Sequence, residues 1–278
     1  TTTSKHDSAG WRNVPKQSKP VDQKRVQELL EKEWARFEAS TKASGDHNKK
    51  ASKVLPLGVT SSFQHWDPYP ISIVSAKGAY LTDVDGRKLL DLSMGFGAML
   101  VGHLNPKVIK KVKKAIRSTG TLFVTPSPTA TDVAEKFKKR FDLDMLRFTN
   151  SGTESTMYAI RTARAVKGRN GVIKVEGGYH GGYDPLQVSV KPALNEIGDS
   201  NLPTAQVPPE VEAGDVYVVP YNNLESLEKI MKDHGKKIAC FMIEPVIENL
   251  SIILPDEGYL KSVRELCDKY DIALIFDE

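Results

Sequence analysis

The feature that most constrains the fold is an alternation, from Thr129 onward, of short aliphatic runs with segments of helical periodicity. The runs predicted to be strands are Leu146–Thr149, Gly171–Val175, Asp215–Val219, Ile238–Ile243 and Ile272–Phe276. The segments predicted to be helices are Ala130–Arg140, Glu154–Val166, Leu224–His234 and Gly258–Tyr270. The sequence therefore predicts an α/β fold with a mainly parallel sheet and helices on both faces. Pro192–Gly214, rich in Pro and acidic residues, is predicted to be a long surface loop or lid.

The first half of the chain lacks this alternation. Residues 1–20 are polar and predict a disordered or loosely packed arm, whereas Val21–Phe37 carries apolar residues at helical spacing. Ser40–Lys53 is predicted to be a polar connection, and Leu55–Pro70 an irregular aromatic segment. Three short strands are predicted next, at Ile71–Ser75, Ala79–Asp83 and Lys88–Leu92, with an Asp85-Gly86 turn before the last. We predict three parts: an N-terminal arm and helix (1–54), a segment with short strands (55–128) and a large α/β domain (129–278).

Composition and charge argue against several classes of protein. The 278 residues carry a formal net charge of +4, and the scattered lysines favour solvated helix faces over a nucleic-acid surface. The two cysteines, Cys240 and Cys267, have neither disulfide nor metal-ligand spacing. We therefore expect no metal site and a reducing, cytoplasmic location. No apolar run is long enough to span a membrane, and the first residues lack the apolar core of a signal peptide.

Residues suited to ligand binding follow the predicted strands, at the edge where ligands collect in open α/β sheets. Ser151-Gly152-Thr153 opens a helix, whose free N–H groups and partial positive charge suit a phosphate. A glycine-rich turn contains Tyr179 and His180, and two carboxylates, Glu244 and Asp277, follow later strands. Taken alone, Ser151-Gly152-Thr153 is explained equally well as an ordinary N-cap without a ligand.

One cofactor would use all of these groups. Pyridoxal 5'-phosphate (PLP) has a phosphate, a flat ring and a ring nitrogen that must stay protonated for the ring to withdraw electrons. A carboxylate at the end of a buried strand keeps that nitrogen protonated by charge pairing, and Asp277 is placed for this. Tyr179 or His180 would stack on the ring, and Ser151-Gly152-Thr153 would bind the phosphate.

Seven stretches then point to one family. They are Gly78–Gly86, Gly102–Pro106, Arg147–Glu154, Gly178–Gly182, Val219–Asn223, Ile243–Val246 and Leu274–Glu278. On these stretches the sequence resembles the class III aminotransferases of fold type I, in the branch of the glutamate-1-semialdehyde aminomutases and β-amino acid aminotransferases. The stretches run in family order from about Leu55 to the last residue and are specific together, although each alone is weak.

The resemblance implies a role for eight residues. Ser151, Gly152 and Thr153 would bind the phosphate, Tyr179 would stack on the ring beside His180, Asp277 would pair with the ring nitrogen, Asn249 would lie near the ring hydroxyl, and Glu244 would shape the site. The implied activity is PLP-dependent transfer of an amino group between an amino acid or amine and a keto or aldehyde acceptor, in a homodimer. An aminomutase-type intramolecular transfer and a non-catalytic PLP-fold binding protein are the alternatives.

Two features depart from the family pattern. The lysine that holds the cofactor in this family lies downstream of the Asp277 motif, so no lysine of this chain is assigned to that role. We expect the chain to be a fragment that stops before this lysine and before the small C-terminal domain, because a terminal buried strand would leave the sheet edge open. Val59–Gln64 matches a segment that often holds a Ser-Arg element for substrate carboxylates, but it contains no Arg. His65, Trp66 or a residue beyond Glu278 would then replace that element, or the substrate would be less acidic.

Overall fold

The computed structural model describes residues 22–120, 125–190 and 215–278. The chain divides into two compact units, Thr1–Pro126 and Ser127–Glu278. The predicted arm at residues 1–20 and the predicted lid at Pro192–Gly214 lie outside the described residues. The three-part division at residues 54 and 128 stays a prediction.

From Asp22 onward, where the described residues start, the first unit has two consecutive helices, α1 (Gln23–Ser40) and α2 (Lys42–Ala51). The predicted amphipathic helix is present as α1. It starts at Asp22, whose side chain accepts a hydrogen bond of 3.1 Å from the backbone N–H of Arg25. The prediction of a polar connection over Ser40–Lys53 is wrong, because α2 occupies most of that segment.

Helix α2 is capped by a residue far along the chain. The carboxylate of Asp85 accepts hydrogen bonds from the backbone N–H groups of Ala43, at 2.7 Å, and Ser44, at 3.0 Å. The Ser44 hydroxyl donates a third bond at 2.6 Å, which is the largest cause of the lowered pKa of Asp85. A carboxylate at a helix N-terminus also complements the helix dipole. Because 41 residues separate Asp85 from Ser44, the local sequence of α2 does not reveal its cap.

Asp85 lies in the hairpin of a three-stranded antiparallel sheet with the order β1-β2-β3. The strands are β1 (Ile73–Lys77), β2 (Tyr80–Asp83) and β3 (Lys88–Leu90). The three predicted strands and the Asp85-Gly86 turn are therefore present, and Gly86 takes the positive φ, 83°, that such a turn requires. Helix α3 (Pro106–Ser118) follows the sheet, while Leu55–Pro70 contains two short 3₁₀ turns, Pro56–Gly58 and Ser62–Gln64.

The second unit is built on a parallel sheet with the strand order β5-β4-β6-β7. The strands are β4 (Gly171–Val175), β5 (Val216–Val219), β6 (Ile238–Ile243) and β7 (Ala273–Phe276). All four were predicted, and every residue of β4 and β6 is buried, as the continuous aliphatic runs indicate. The predicted mainly parallel sheet is thus confirmed for this unit.

The fifth predicted strand, Leu146–Thr149, is wrong. This segment has no regular secondary structure, and its backbone forms no ladder with any strand of the described residues. Met145 and Phe148 are 88% and 53% exposed, so the run does not contribute a buried strand to the sheet. Its apolar composition matched that of a strand, but a strand also needs a hydrogen-bonded neighbour.

Helices cover both faces of the parallel sheet. The helices of this unit are α4 (Pro128–Phe141), α5 (Gly152–Lys167), α6 (Asp184–Gln187), α7 (Leu224–His234) and α8 (Tyr259–Lys269). Alternate strand residues point to opposite faces: Val172 and Met242 pack with Ile160 of α5, whereas Ile173 and Phe241 belong to the core beneath α7 and α8. The sheet therefore lies between two apolar layers, and its parallel strands all end at one edge.

Candidate active site

Side chains from three strand ends converge at the carboxyl edge of the parallel sheet. Because parallel strands all end at the same edge, the segments after β4, β6 and β7 are neighbours there. A cavity of about 460 Å³ opens at this edge and is lined by Tyr179, Glu244, Pro245, Val246, Glu248, Asn249, Asp277 and Glu278. Four of the residues predicted for the site, Tyr179, Glu244, Asn249 and Asp277, are thus brought together around one space.

Asp277 is held in place by its backbone and by a buried histidine. Its backbone N–H donates to the carbonyl of Ile243 on β6 at 3.0 Å, which extends the ladder by one residue beyond β7. Its Oδ2 lies 2.8 Å from Nδ1 of His180, whose side chain is fully buried. An ionised carboxylate only accepts hydrogen bonds, so the shared proton belongs to Nδ1. Oδ2 of Asp277 is therefore held by His180, while Asp277 itself lines the cavity.

The segment Glu176–Gly182, here called the glycine-rich loop, connects this pair to the start of α5. The hydroxyl of Thr156 on α5 donates to the carbonyl of His180 at 2.8 Å, and the N–H of Gly182 donates to Oγ1 of Thr153 at 3.1 Å. Between them, Gly181 has a φ of 89°, and a Cβ built on it would lie 2.8 Å from the Cα of Thr153. At Gly181 the loop thus lies so close to the start of α5 that a side chain there would clash with Thr153.

The start of α5 is an N-cap that keeps free donors. Oγ of Ser151 accepts a hydrogen bond of 3.1 Å from the N–H of Glu154, and the Glu154 carboxylate accepts one of 2.8 Å from the N–H of Asn150. The ordinary cap considered from the sequence is therefore formed. Within the described residues, the N–H groups of Gly152 and Thr153 have no hydrogen-bond partner, and nothing lies within 4 Å of a Cβ built on Gly152. The cap and an anion at this helix start are compatible.

Glu244 and Asn249 also line the cavity. Oε2 of Glu244 accepts hydrogen bonds from the N–H of Glu248, at 3.0 Å, and from Nδ2 of Asn249, at 3.4 Å. Its other oxygen, Oε1, is buried and has no partner among the described residues. Tyr179 is 47% exposed. The cavity therefore has carboxylates on two strand ends and an accessible aromatic ring.

The sequence analysis overlooked Lys174, which lies fully buried in the middle of β4. Its Nζ donates to the carbonyls of Gly178, at 2.9 Å, and Val188, at 2.5 Å. Burial lowers the pKa of Lys174 to about 8, although the charges of Glu244 and Glu176 act to raise it. The signal in the sequence was a single charged residue within the aliphatic run Gly171–Val175.

Other predicted features are not among the residues that line this cavity. Val59–Gln64 belongs to the first unit. In the part of the chain that the structure describes, no group of three or more His, Cys, Asp or Glu residues could hold a metal ion. None of the helices in this described part has the length and apolar character needed to cross a bilayer.

Comparison with solved structures identifies the fold. The chain superposes with a TM-score of 0.78 and 31% identity on a structure titled transaminase with PLP bound, over 86% of this chain and 55% of that one. With a glutamate-1-semialdehyde aminomutase from Pseudomonas aeruginosa, solved as a lysine-to-alanine variant in complex with PMP, the TM-score is 0.82 at 28% identity, over 92% and 56% of the two chains. The second unit therefore has the fold type I architecture of the PLP-dependent transferases, and the predicted fold class is confirmed.

The sequence identifies the family more narrowly. Residues 62–278 match the family model for class III aminotransferases. A glutamate-1-semialdehyde 2,1-aminomutase from Lawsonia intracellularis is 41% identical over 233 residues, which are 82% of this chain and 53% of that protein. The chain belongs to the class III aminotransferase family, and it spans about half the length of the curated relatives it matches.

Proposed function

We propose that this chain is the cofactor-binding part of a PLP-dependent aminotransferase that moves an amino group between an amino acid or amine and a keto or aldehyde acceptor. The observation that carries the proposal is the contact between Asp277, which follows β7, and the buried His180 in the loop after β4. It provides an anionic carboxylate that is fixed in orientation and directed at a cavity next to an aromatic side chain. Those are the requirements for holding a protonated pyridine ring.

The residues of the site fit each part of the cofactor. The N–H groups of Gly152 and Thr153, with the hydroxyls of Ser151 and Thr153, are donors suited to the phosphate. Tyr179 presents its ring at the cavity for stacking, and Asp277 would accept a hydrogen bond from the ring nitrogen. Glu244 and Asn249 supply polar groups that could contact a ring hydroxyl, and Oε1 of Glu244 is a buried acceptor without a described partner.

The chemistry that the group supplies when bound is withdrawal of electrons from the carbon that carries the transferred amino group. Asp277 would keep the ring nitrogen protonated, because an opposite charge within hydrogen-bond distance favours the charged form. His180 would hold Asp277 in the correct orientation by donating from Nδ1. The remaining residues would bind and orient, since Tyr179 fixes the plane of the ring and the start of α5 anchors the phosphate.

Pyridoxamine 5'-phosphate (PMP) is the sharpest probe, because it has the ring and the phosphate but needs no lysine to hold it covalently. The chain should quench PMP fluorescence saturably, and Asp277→Asn should weaken binding about tenfold to a hundredfold, the worth of a hydrogen bond between charged groups. Asp233→Asn is the matched control, since Asp233 is a half-exposed carboxylate on α7 that contacts Lys229. Binding that is unchanged in Asp277→Asn would contradict the proposed role of the carboxylate.

The second candidate is an intramolecular amino transfer. The observation in its favour is the 41% identity to a protein named glutamate-1-semialdehyde 2,1-aminomutase. The two activities differ in one requirement, because a transferase needs an external amino acceptor and a mutase does not. Turnover of an amino substrate by the protein expressed from its complete reading frame, with and without added keto acid, separates them.

A non-catalytic PLP-fold protein remains the alternative from another class. The protein from the complete reading frame, purified with PLP, should have a visible absorbance band that borohydride converts into a stable adduct, because an enzyme of this family holds the cofactor through a lysine. PLP that is removed by dialysis and leaves no band would support a binding protein instead. Reading the sequence beyond Glu278 for a lysine in the family position is the direct companion test.

Assembly and location belong to the same proposal. We propose a homodimer that acts on small-molecule donors and acceptors, as the family resemblance implies. We also propose a cytoplasmic location without nucleic-acid or membrane partners, which rests on the cysteine spacing, the scattered lysines and the apolar pattern of the sequence. The molar mass in solution, measured by light scattering at several protein concentrations, tests the dimer. A monomer at all concentrations in the presence of PLP would contradict it.

A further inference from the structure

The buried lysine of β4 has no part in the function proposed above. Lys174 points to the sheet face that packs on α5, and its neighbours there are Val172 on its own strand and Cys240 and Met242 on β6. All three are fully buried and apolar or nearly so. An aliphatic residue at position 174 would complete this layer, so packing alone does not explain a lysine.

The contacts of Lys174 explain it better. Its Nζ joins the carbonyl of Gly178, inside the glycine-rich loop, to the carbonyl of Val188, which follows α6. Ser189 reinforces the same junction: its carbonyl accepts from the N–H of Gly177 at 2.7 Å, and its hydroxyl donates to Glu176 at 3.2 Å. The two ends of the segment from Glu176 to Ser189 are therefore joined by hydrogen bonds, and Nζ of Lys174 bonds to a carbonyl near each end.

The Gly178 carbonyl is significant because it belongs to the peptide group that leads into Tyr179. A hydrogen bond to that oxygen restrains the orientation of the Gly178–Tyr179 peptide plane and therefore the position of the Cα of Tyr179, which carries the side chain. The next residue, His180, is the partner of Asp277. A single buried donor thus controls the residues that would contact the face of the ring and the carboxylate at its nitrogen.

Burial of the Lys174 amine costs free energy, because the charged form loses its hydration. Desolvation lowers the pKa of Lys174 to about 8, and the negative charges of Glu244 and Glu176 offset only part of the effect. Two backbone carbonyls compensate the amine with hydrogen bonds but bring no opposite charge. The side chain is thus retained for what it bonds to and not for the stability of the core.

We propose that Lys174 is a positioning residue of the candidate site, whose buried Nζ orders the glycine-rich loop and sets the plane of Tyr179 against which the cofactor ring stacks. The part of this inference that concerns the ring rests on the proposed function. The part that concerns the loop does not, because it follows from the contacts of Lys174 in the ligand-free protein.

Amide hydrogen exchange of the ligand-free chain tests the loop. Lys174→Met keeps the length of the four-carbon stem and removes only the terminal donor. Exchange over Gly177–Gly182 should then accelerate about tenfold more than in β6 or α5, as expected for loss of one hydrogen bond from a charged group to the loop. Val172→Ala is the matched control, because it creates a cavity on the same strand and face. A pattern in Lys174→Met that equals that of Val172→Ala would overturn the proposal. If Lys174→Met does not fold, Lys174→Gln, which retains a donor one atom short, replaces it with the same expectation.

The circular dichroism that bound PMP acquires from the protein tests the ring, because it depends on ring orientation and not on stability. At saturating PMP the spectrum of Lys174→Met should differ in sign or intensity from that of the wild type, while that of Val172→Ala should match it. Identical spectra in all three proteins would overturn the role in positioning. If the wild-type chain binds no PMP, the proposed function and the ring part of this inference both fail, whereas the exchange pattern still decides whether Lys174 orders the loop.

Discussion

Replacing Gly181 by alanine should destabilise the second unit and weaken ligand binding, whereas the same replacement at Gly182 should do neither. The two glycines are adjacent in the glycine-rich loop, but their surroundings differ. A Cβ on Gly181 would contact both Cα and Oγ1 of Thr153, and the residue has a φ of 89°. A Cβ on Gly182 would have no atom within 4 Å, and its φ lies outside the left-handed region.

Three effects set the magnitude for Gly181→Ala. A left-handed backbone costs a residue with a side chain about 1–2 kcal/mol. Oγ1 of Thr153 can rotate away, but the hydrogen bond of 3.1 Å from Gly182 is then lost, at about 1 kcal/mol. The Cα of Thr153, 2.8 Å from the new methyl group, cannot rotate, so the loop or the first turn of α5 must shift, at about 1–3 kcal/mol. We therefore expect a loss of about 4 kcal/mol, a large share of the roughly 5–15 kcal/mol that stabilises a typical protein.

Urea unfolding followed by circular dichroism measures this loss, and PMP titration measures its effect on the site. Gly182→Ala should stay within about 0.5 kcal/mol of the wild type, as do most substitutions that meet no neighbour. PMP affinity should fall in Gly181→Ala, because the start of α5 and the loop with Tyr179 both move. Equal free energies of unfolding for the two variants would refute the reasoning, since only one of them meets Thr153.

Two further predictions concern buried titratable groups. Because burial lowers the pKa of Lys174 to about 8 from 10.5, the unfolded chain binds more protons than the folded chain between these values. The free energy of unfolding should therefore rise by up to about 3 kcal/mol as the pH increases from 8 to 10.5. This rise should be absent from Lys174→Met, and urea unfolding of both proteins at several pH values measures it. An equal response of the two proteins to pH would contradict the prediction. Burial also raises the pKa values of Cys240 and Cys267 to about 12. A thiol reagent at pH 8 should therefore label neither cysteine in the folded chain and both cysteines in denaturant. Rapid labelling of the folded chain would refute their burial.

The parallel sheet was predictable from the sequence because its two inner strands, β4 and β6, are buried on both faces. Gly171–Val175 is apolar except for Lys174, Ile238–Ile243 is apolar throughout, and their predicted boundaries are those of β4 and β6. The same rule failed at Leu146–Thr149, where an apolar run has exposed side chains and no paired neighbour among the described residues. Periodicity and composition report burial tendency, whereas pairing depends on where the remainder of the chain is placed.

The site was predictable to the extent that its residues follow strand ends. Tyr179, Glu244, Asn249 and Asp277 line one cavity, and His180 contacts Asp277. The partnership between His180 and Asp277 could not be read from the sequence, because 97 residues separate them.

Two other features depend on contacts between backbone groups and distant side chains. In the described contacts, Lys174 bonds only to backbone carbonyl oxygens. Every residue has such an oxygen, so no sequence motif indicates the partners of Lys174. Helix α2 likewise needs the carboxylate of Asp85, which lies beyond β2, to satisfy its first N–H groups. A polar segment such as Ser40–Lys53 is ambiguous until that partner is in place.

The cap on α2 also limits how the first unit can be re-engineered. A short hairpin turn such as Asp85-Gly86 is ordinarily a favourable place to graft an epitope, insert a reporter domain or open new termini by circular permutation. In this protein, the same turn holds the start of α2 through three hydrogen bonds from Ala43 and Ser44. An insertion there would detach a helix that lies some forty residues earlier in the chain, so grafts are better directed to the connection between Ala51 and Pro56 than to the hairpin.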